Sequence, residues 1–165
     1  MRSTGVILAF WCVLGLVAIH AQSANPPHEG FNLAESSPEA IELADKVMEA
    51  LGGRENWDNT RHIAWRFLGG SRFHIWDKWT GQLRIEREDQ VVLMNLQSRK
   101  GRAWSAGEEI TIPDSLAPIL DFGYKAWVND SYWMFFPYKL KDSGVTLKYI
   151  GEKEATSGTM AEVVE

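Results

Sequence analysis

The chain predicts an α+β fold: an antiparallel sheet with an N-terminal helix and a second helical segment inserted among its strands. Three observations predict it. A helical stripe runs over Ile41, Ala44, Val47, Met48 and Leu51; from Arg61 the apolar period changes to two and recurs between turn signals; a second helical stripe then interrupts the strands over Pro113 to Asn129.

Composition sets the frame for these elements. With 165 residues, 45% hydrophobic and 12% aromatic, the chain can bury a core of its own as one domain. Its net charge of -5 argues against a nucleic-acid surface. Removal of the leading segment takes away only one cation, Arg2, and leaves the balance more acidic still. Attraction to anionic headgroups is therefore small, and any lipid contact is expected through tails in a cavity.

Residues 1–23 read as an export signal. Arg2 is the positive start, Gly5 to Ile19 is a short apolar run, and Ala21-Gln22-Ser23 offers small residues at cleavage spacing. The run is shorter than the roughly 20 apolar residues a membrane anchor needs, so cleavage after Ser23 and a periplasmic or otherwise exported product are expected, with no transmembrane segment. Cys12 follows Ala9, Phe10 and Trp11, which are too bulky for lipoprotein processing. The mature chain then has no cysteine, hence no disulfide and no thiolate metal ligand.

Residues 24–36 contain Pro26, Pro27 and Gly30 without apolar periodicity and read as a flexible leader to a single domain over 37–165. Ser37 is expected to cap the first helix, with Pro38 in its first position and Gly52-Gly53 as its stop. In the strands that follow, Ile63, Trp65 and Phe67 share a face, Gly69-Gly70 turns the chain, and Phe73 and Ile75 continue the apolar face. Thr80-Gly81 and Glu88-Asp89 separate Leu83 and Ile85 from the run Val91 to Leu96, which gives a four-strand meander. Its polar side is expected to carry Arg72, Arg84, Glu86 and Arg87 in solvent.

After a strand near Arg102 to Ser105, Leu116, Ile119, Leu120, Gly123 and Trp127 recur at helical spacing, with Pro118 and Gly123 expected to break or kink the helix. The concave face of the sheet is the economical place for it. Beyond it, NDSYWMFFPYKLKDSG (129–144) alternates large apolar groups to both sides, which predicts a strand covered on both faces and ended by Pro137. Val145 to Ile150 should pair with a strand beginning near Thr159, and the sequence stops within that alternating pattern, as a fragment or truncated product does.

These segments carry a resemblance. LGGRENWDNTRHIAWRF (51–67), FHIWDKWTGQLRIE (73–86), GRAW (101–104) and the aromatic run together resemble the uncharacterised envelope proteins grouped with bacterial outer-membrane lipoprotein-sorting proteins, within the LolA/LolB superfamily. The likeness spans roughly Pro38 to Gly151 and rests on element order. It implies a curved antiparallel sheet, an incomplete barrel or half-barrel, with Pro113 to Asn129 as an inserted helical lid over an apolar cavity for acyl chains, and it implies no catalytic constellation.

The expected function is binding of a lipid, acyl chain or lipoprotein without chemistry, cofactor or metal. The expected lining is Trp65 and Phe67 from the first strand, Phe73 and Ile75 from the second, Leu83, Ile85 and Leu93 from the next two, and Trp133 and Phe135 from the aromatic run. Leu120 and Trp127 face them from the lid. Each is equally suited to an ordinary core, so a structural module without a cavity is one alternative. Another is an envelope hydrolase using His62, His74 and carboxylates such as Asp77 or Glu86, although no HExxH, phosphate loop or nucleophile elbow accompanies them.

Overall fold

The computed structural model describes residues 23–165, so the expected export signal lies outside the described residues except for Ser23. From Arg61 onward the period-two pattern becomes a meander: β1 (His62–Phe67), β2 (Arg72–Asp77), β3 (Gln82–Arg87), β4 (Gln90–Asn95), β5 (Gly101–Ser105) and the short β6 (Glu108–Glu109). These form one six-stranded sheet in sequence order, every pair antiparallel, and the sheet does not close into a barrel. Between β1 and β2 the backbone passes through positive φ at Leu68, Gly69 and Gly70, so the two glycines stand where a tight reversal needs them.

Register decides what faces the core. Trp65 pairs with His74, His74 with Ile85, Ile85 with Val92, and Val92 with Ala103. Side chains on paired residues share a face, so Trp65, His74, Trp76, Leu83, Ile85, Val92, Met94 and Ala103 are inward. Phe73, Ile75 and Leu93 have the opposite parity and lie on the outer face, where Ile75 and Leu93 are exposed. The expected apolar parity of β2 is thus reversed. Arg72 and Arg87, expected in solvent with Arg84 and Glu86, fall on the inward face by the same register.

A single helix of 23 residues, α3 (Pro113–Phe135), crosses the inward face. Leu116, Ile119, Leu120 and Phe122 pack on Leu83, Ile85, Val92, Met94 and Ala103. The helix continues past Pro118, and a Cβ on Gly123 would stand 3.2 Å from Val92 Cγ1 and 3.3 Å from Met94 Sδ. That glycine serves close approach of helix to sheet rather than a break. The helix also absorbs the segment expected as a strand: residues up to Phe135 are helical, and Pro137 sits at the start of a 3-10 turn, Phe136–Lys139. A run of five large apolar residues satisfies a period of two and a helix equally. Continuity with the helix before it decides the matter.

A second core joins the beginning of the described chain to its end. Helix α1 (Pro38–Ala50) packs Ala40 and Ala44 against Phe31 and Leu147, with Ile41, Tyr149 and Val164 around them. Ser37 does stand before Pro38, but its hydroxyl accepts the Tyr149 N–H at 2.9 Å instead of capping the helix. The late alternation forms a hairpin of β7 (Tyr149–Glu154) and β8 (Met160–Val164), but of the strand expected over Val145 to Ile150 only Tyr149 and Ile150 belong to it. Residues 24–36 are no loose leader. Phe31 is buried, Asn25 donates to Asp45 at 2.8 Å, and the His28 N–H bonds the Lys141 carbonyl at 3.0 Å.

Candidate functional site

The inserted helix fills most of the space beneath it. Leu83, Ile85 and Leu120 belong to a closed core, and an open cavity spanning the sheet is therefore absent among the described residues. Room remains where the last turns of α3 meet the short helix α2 (Arg54–Asn59). A cleft of about 420 Å³ lies there, within the range of roughly 300–1,000 Å³ usual for small-molecule sites.

Its walls are aromatic. Trp76 of β2 meets Trp127 of α3 edge to face at 5.3 Å, and Phe135, two turns further along the helix, meets Trp65 at 5.0 Å and Trp57 of α2 at 5.5 Å. Trp57 in turn stacks on Tyr138 at 4.1 Å. The Lys78 ammonium sits 3.8 Å from the centre of that indole ring, bonds the Trp57 carbonyl, and is pushed below its ordinary pKa by burial. Val128, Ser131 and Tyr132 complete the wall on the helix side.

The rim is polar. Arg54 Nη2 donates to His28 Nε2 at 2.8 Å, Arg54 Nε donates to Asp58, and Lys139 pairs with Asp142. A pocket with an apolar floor and a few charged groups at its mouth suits a chain-like ligand with a polar end. A second hollow, of about 330 Å³ beside α1, is bordered by Glu42, Asp45, Lys46 and Glu49 and has no aromatic wall.

Beside the cleft lies a buried ionic cluster. Asp130 accepts from Arg72 Nε and Nη2 at 2.6 Å each, from His74 Nε2 at 2.8 Å and from Asn129 Nδ2 at 2.9 Å. Asp130 and His74 are both 0% exposed. Because the carboxylate only accepts, Nε2 carries the imidazole proton, while Nδ1 has no partner and Trp65 lies stacked on the ring at 4.5 Å. Burial lowers the pKa of His74, with Asp130 opposing in part. Burial raises that of Asp130, but the bonds from Arg72, Asn129 and His74 outweigh it and leave the carboxyl below its ordinary value. This cluster fixes α3 on β2 and thereby sets the mouth of the cleft.

Of the residues expected to line a cavity, Trp127 and Phe135 do so, and Trp65 backs Phe135 from the core. Phe67 is half-buried at the end of β1, Phe73, Ile75 and Leu93 are on the far face of the sheet, and Trp133 is 65% exposed. Sequence reasoning missed Trp57, Trp76 and Tyr138 as lining. For Trp76 the signal was its parity with His74, and for Trp57 the Arg54–Asp58 spacing of an i,i+4 pair that marks a helical turn.

His62 and His74 have opposite parity on paired strands, so the pair expected for a hydrolase does not converge. His62 lies 3.5 Å from Asp77 at the sheet edge, and Asp77 is committed to Arg61 at 2.8 Å and to the N–H groups of Trp79 and Thr80. Among the described residues no group of three His, Cys, Asp or Glu side chains could hold a metal ion, and no helix is long and apolar enough to cross a membrane. No family model matches the chain, and neither a curated protein nor a solved structure matches it.

Proposed function

We propose that this chain is an exported envelope protein that binds an acyl chain, a lipid or a lipidated polypeptide non-covalently, in keeping with the lipoprotein-sorting proteins its sequence resembles. The observation that carries the reading is the cleft of about 420 Å³ walled by Trp57, Trp76, Trp127 and Phe135 and rimmed by Arg54, His28 and Lys139. Apolar walls take the tail, and the polar rim, where Arg54 is paired with Asp58 and Lys139 with Asp142, takes a polar end by hydrogen bonding.

A hydrolase on His62 and His74 draws no support from this geometry, since one ring is at the sheet edge and the other is sealed from substrate.

The test is a ligand series. Fatty acids of increasing length, added below their micellar concentration, should quench or shift tryptophan fluorescence and raise the melting temperature, because a ligand that binds only the folded state stabilises it. Trp127→Ala should weaken the tightest of them about tenfold or more. Absence of any response across the series would sink the reading. Export is tested separately: in a Gram-negative host the periplasmic product should begin at Ala24 or within a few residues of it, and cytoplasmic material retaining Arg2 would count against it.

A further inference from the structure

The end of α3 carries more apolar surface than the fold uses. Val128, Tyr132, Trp133, Met134 and Phe136 are each 43–65% exposed, although they follow one another along little more than two turns of helix. Their aromatic contacts are with one another: Tyr132 meets Trp133 at 5.4 Å and Phe136 at 5.7 Å. Tyr132, Trp133 and Phe136 form a ridge with Met134 on the helix surface beside it, and Val128 and Tyr132 also line the cleft. The flanking cations are neutralised on the spot, Lys125 by Asp121 at 2.6 Å and Lys139 by Asp142.

We infer that this aromatic ridge seats the protein on the surface of a lipid bilayer, with the mouth of the cleft turned toward the acyl chains. The inference rests on the acyl-binding reading of that cleft and adds where its ligand enters. Trp and Tyr partition to the headgroup level because each has an apolar ring and a polar handle, while Met, Phe and Val favour the layer beneath. A ridge of such side chains enters a soft medium without needing a matching groove. Since the neighbouring charges are already paired, the surface has no need of anionic lipid, and neutral phosphatidylcholine is its fitting partner.

The experiment is flotation of the full chain with phosphatidylcholine vesicles, beside a variant carrying Trp133→Glu and Met134→Glu. Both positions are exposed, so the melting temperature should be preserved and folding is not at issue. Any contribution from the apolar run at 5–19 is common to both proteins, and the difference reports the ridge. The double variant should bind at least about tenfold more weakly. Brominated acyl chains should quench wild-type fluorescence, and Trp133→Phe should remove part of that quenching.

Equal binding of the two proteins overturns the inference. So does binding that requires anionic lipid and falls steeply with salt, or a wild-type dimer that the substitutions dissociate, which would make a second copy the occupant of the ridge. A soluble fatty acid separates the two readings: if Trp127→Ala abolishes its binding while vesicles are ignored, the cleft stands and the docking surface falls.

Discussion

Two arginine–aspartate pairs of the same chemistry stabilise different things. Asp77 accepts Arg61 at 2.8 and 3.0 Å and the N–H groups of Trp79 and Thr80, all within 16 positions; its side chain is 10% exposed, while that of Arg61 is 44% exposed. Asp130 accepts Arg72 and His74 across 58 and 56 positions and is wholly buried. The first pair shapes a turn and the second clamps a helix to a sheet. Interior ions cost heavily to desolvate and depend on every partner, whereas a solvated pair can lose one at little cost.

Breaking the buried pair should have the largest effect. Asp130→Ala strands the Arg72 guanidinium and the His74 ring together, and leaving an uncompensated buried charge typically costs about 3–5 kcal/mol. Urea unfolding should show that loss, and a change below about 1 kcal/mol would mean that the cluster is not a clamp.

Next in size is the dependence on pH. His74 has a folded pKa below its ordinary 6.5, and Asp130 one below its ordinary 3.8, so for both the unfolded chain takes up the proton first. Their contribution is therefore complete above about pH 7 and is lost as pH falls, beginning near 6.5 with His74 and continuing below 4 with Asp130. Melting curves should decline through that range. His74→Phe, which retains a ring against Trp65, should flatten the decline between pH 7 and 5; an unchanged slope would assign it to other groups.

A third comparison reads function. Asp130→Asn should loosen the end of α3 and weaken fatty-acid binding about tenfold, because Trp127 and Phe135 depend on where that helix lies. Asp77→Asn should leave the affinity as it was. Equal effects from the two would detach the cleft from the clamp. The smallest effect is expected on stability from Asp77→Asn. Arg61 holds that carboxyl well below the usual range, yet Arg61 is open to water and salt and an asparagine keeps an oxygen for the Trp79 and Thr80 N–H groups, so the melting temperature should change less than for Asp130→Asn.

The same contrast explains what could be read from the sequence. The α+β class, the meander, its turns, the first helix and the final hairpin all follow from local periodicity and turn chemistry. The parity of β2 does not. Within Arg72–Asp77, local hydrophobicity favours Phe73 and Ile75 for the core, and the fold chooses His74 and Trp76. What reverses the choice is Asp130, on a helix more than fifty positions away, which makes burial of Arg72 and His74 tolerable. The aromatic run failed for a related reason: Tyr132, Trp133 and Met134 are exposed, so no amphipathic face tied to the core marked their helix. Among the site residues, Trp127 and Phe135 were accessible from patterning, whereas Trp57 and Tyr138 meet only through tertiary stacking.

The small second core also dictates an order of assembly. The sheet and α3 draw on neighbours made shortly before them, but α1 awaits the strand whose Tyr149 N–H bonds the Ser37 hydroxyl, 112 positions later. At about 5–20 residues per second, synthesis leaves that helix without its partner for on the order of five to twenty seconds. During that interval Ala40, Ile41 and Ala44 form an uncovered apolar stripe near the start of the nascent chain. Two of those three residues are alanines, so the surface left waiting for Leu147 and Tyr149 is small and its exposure costs little.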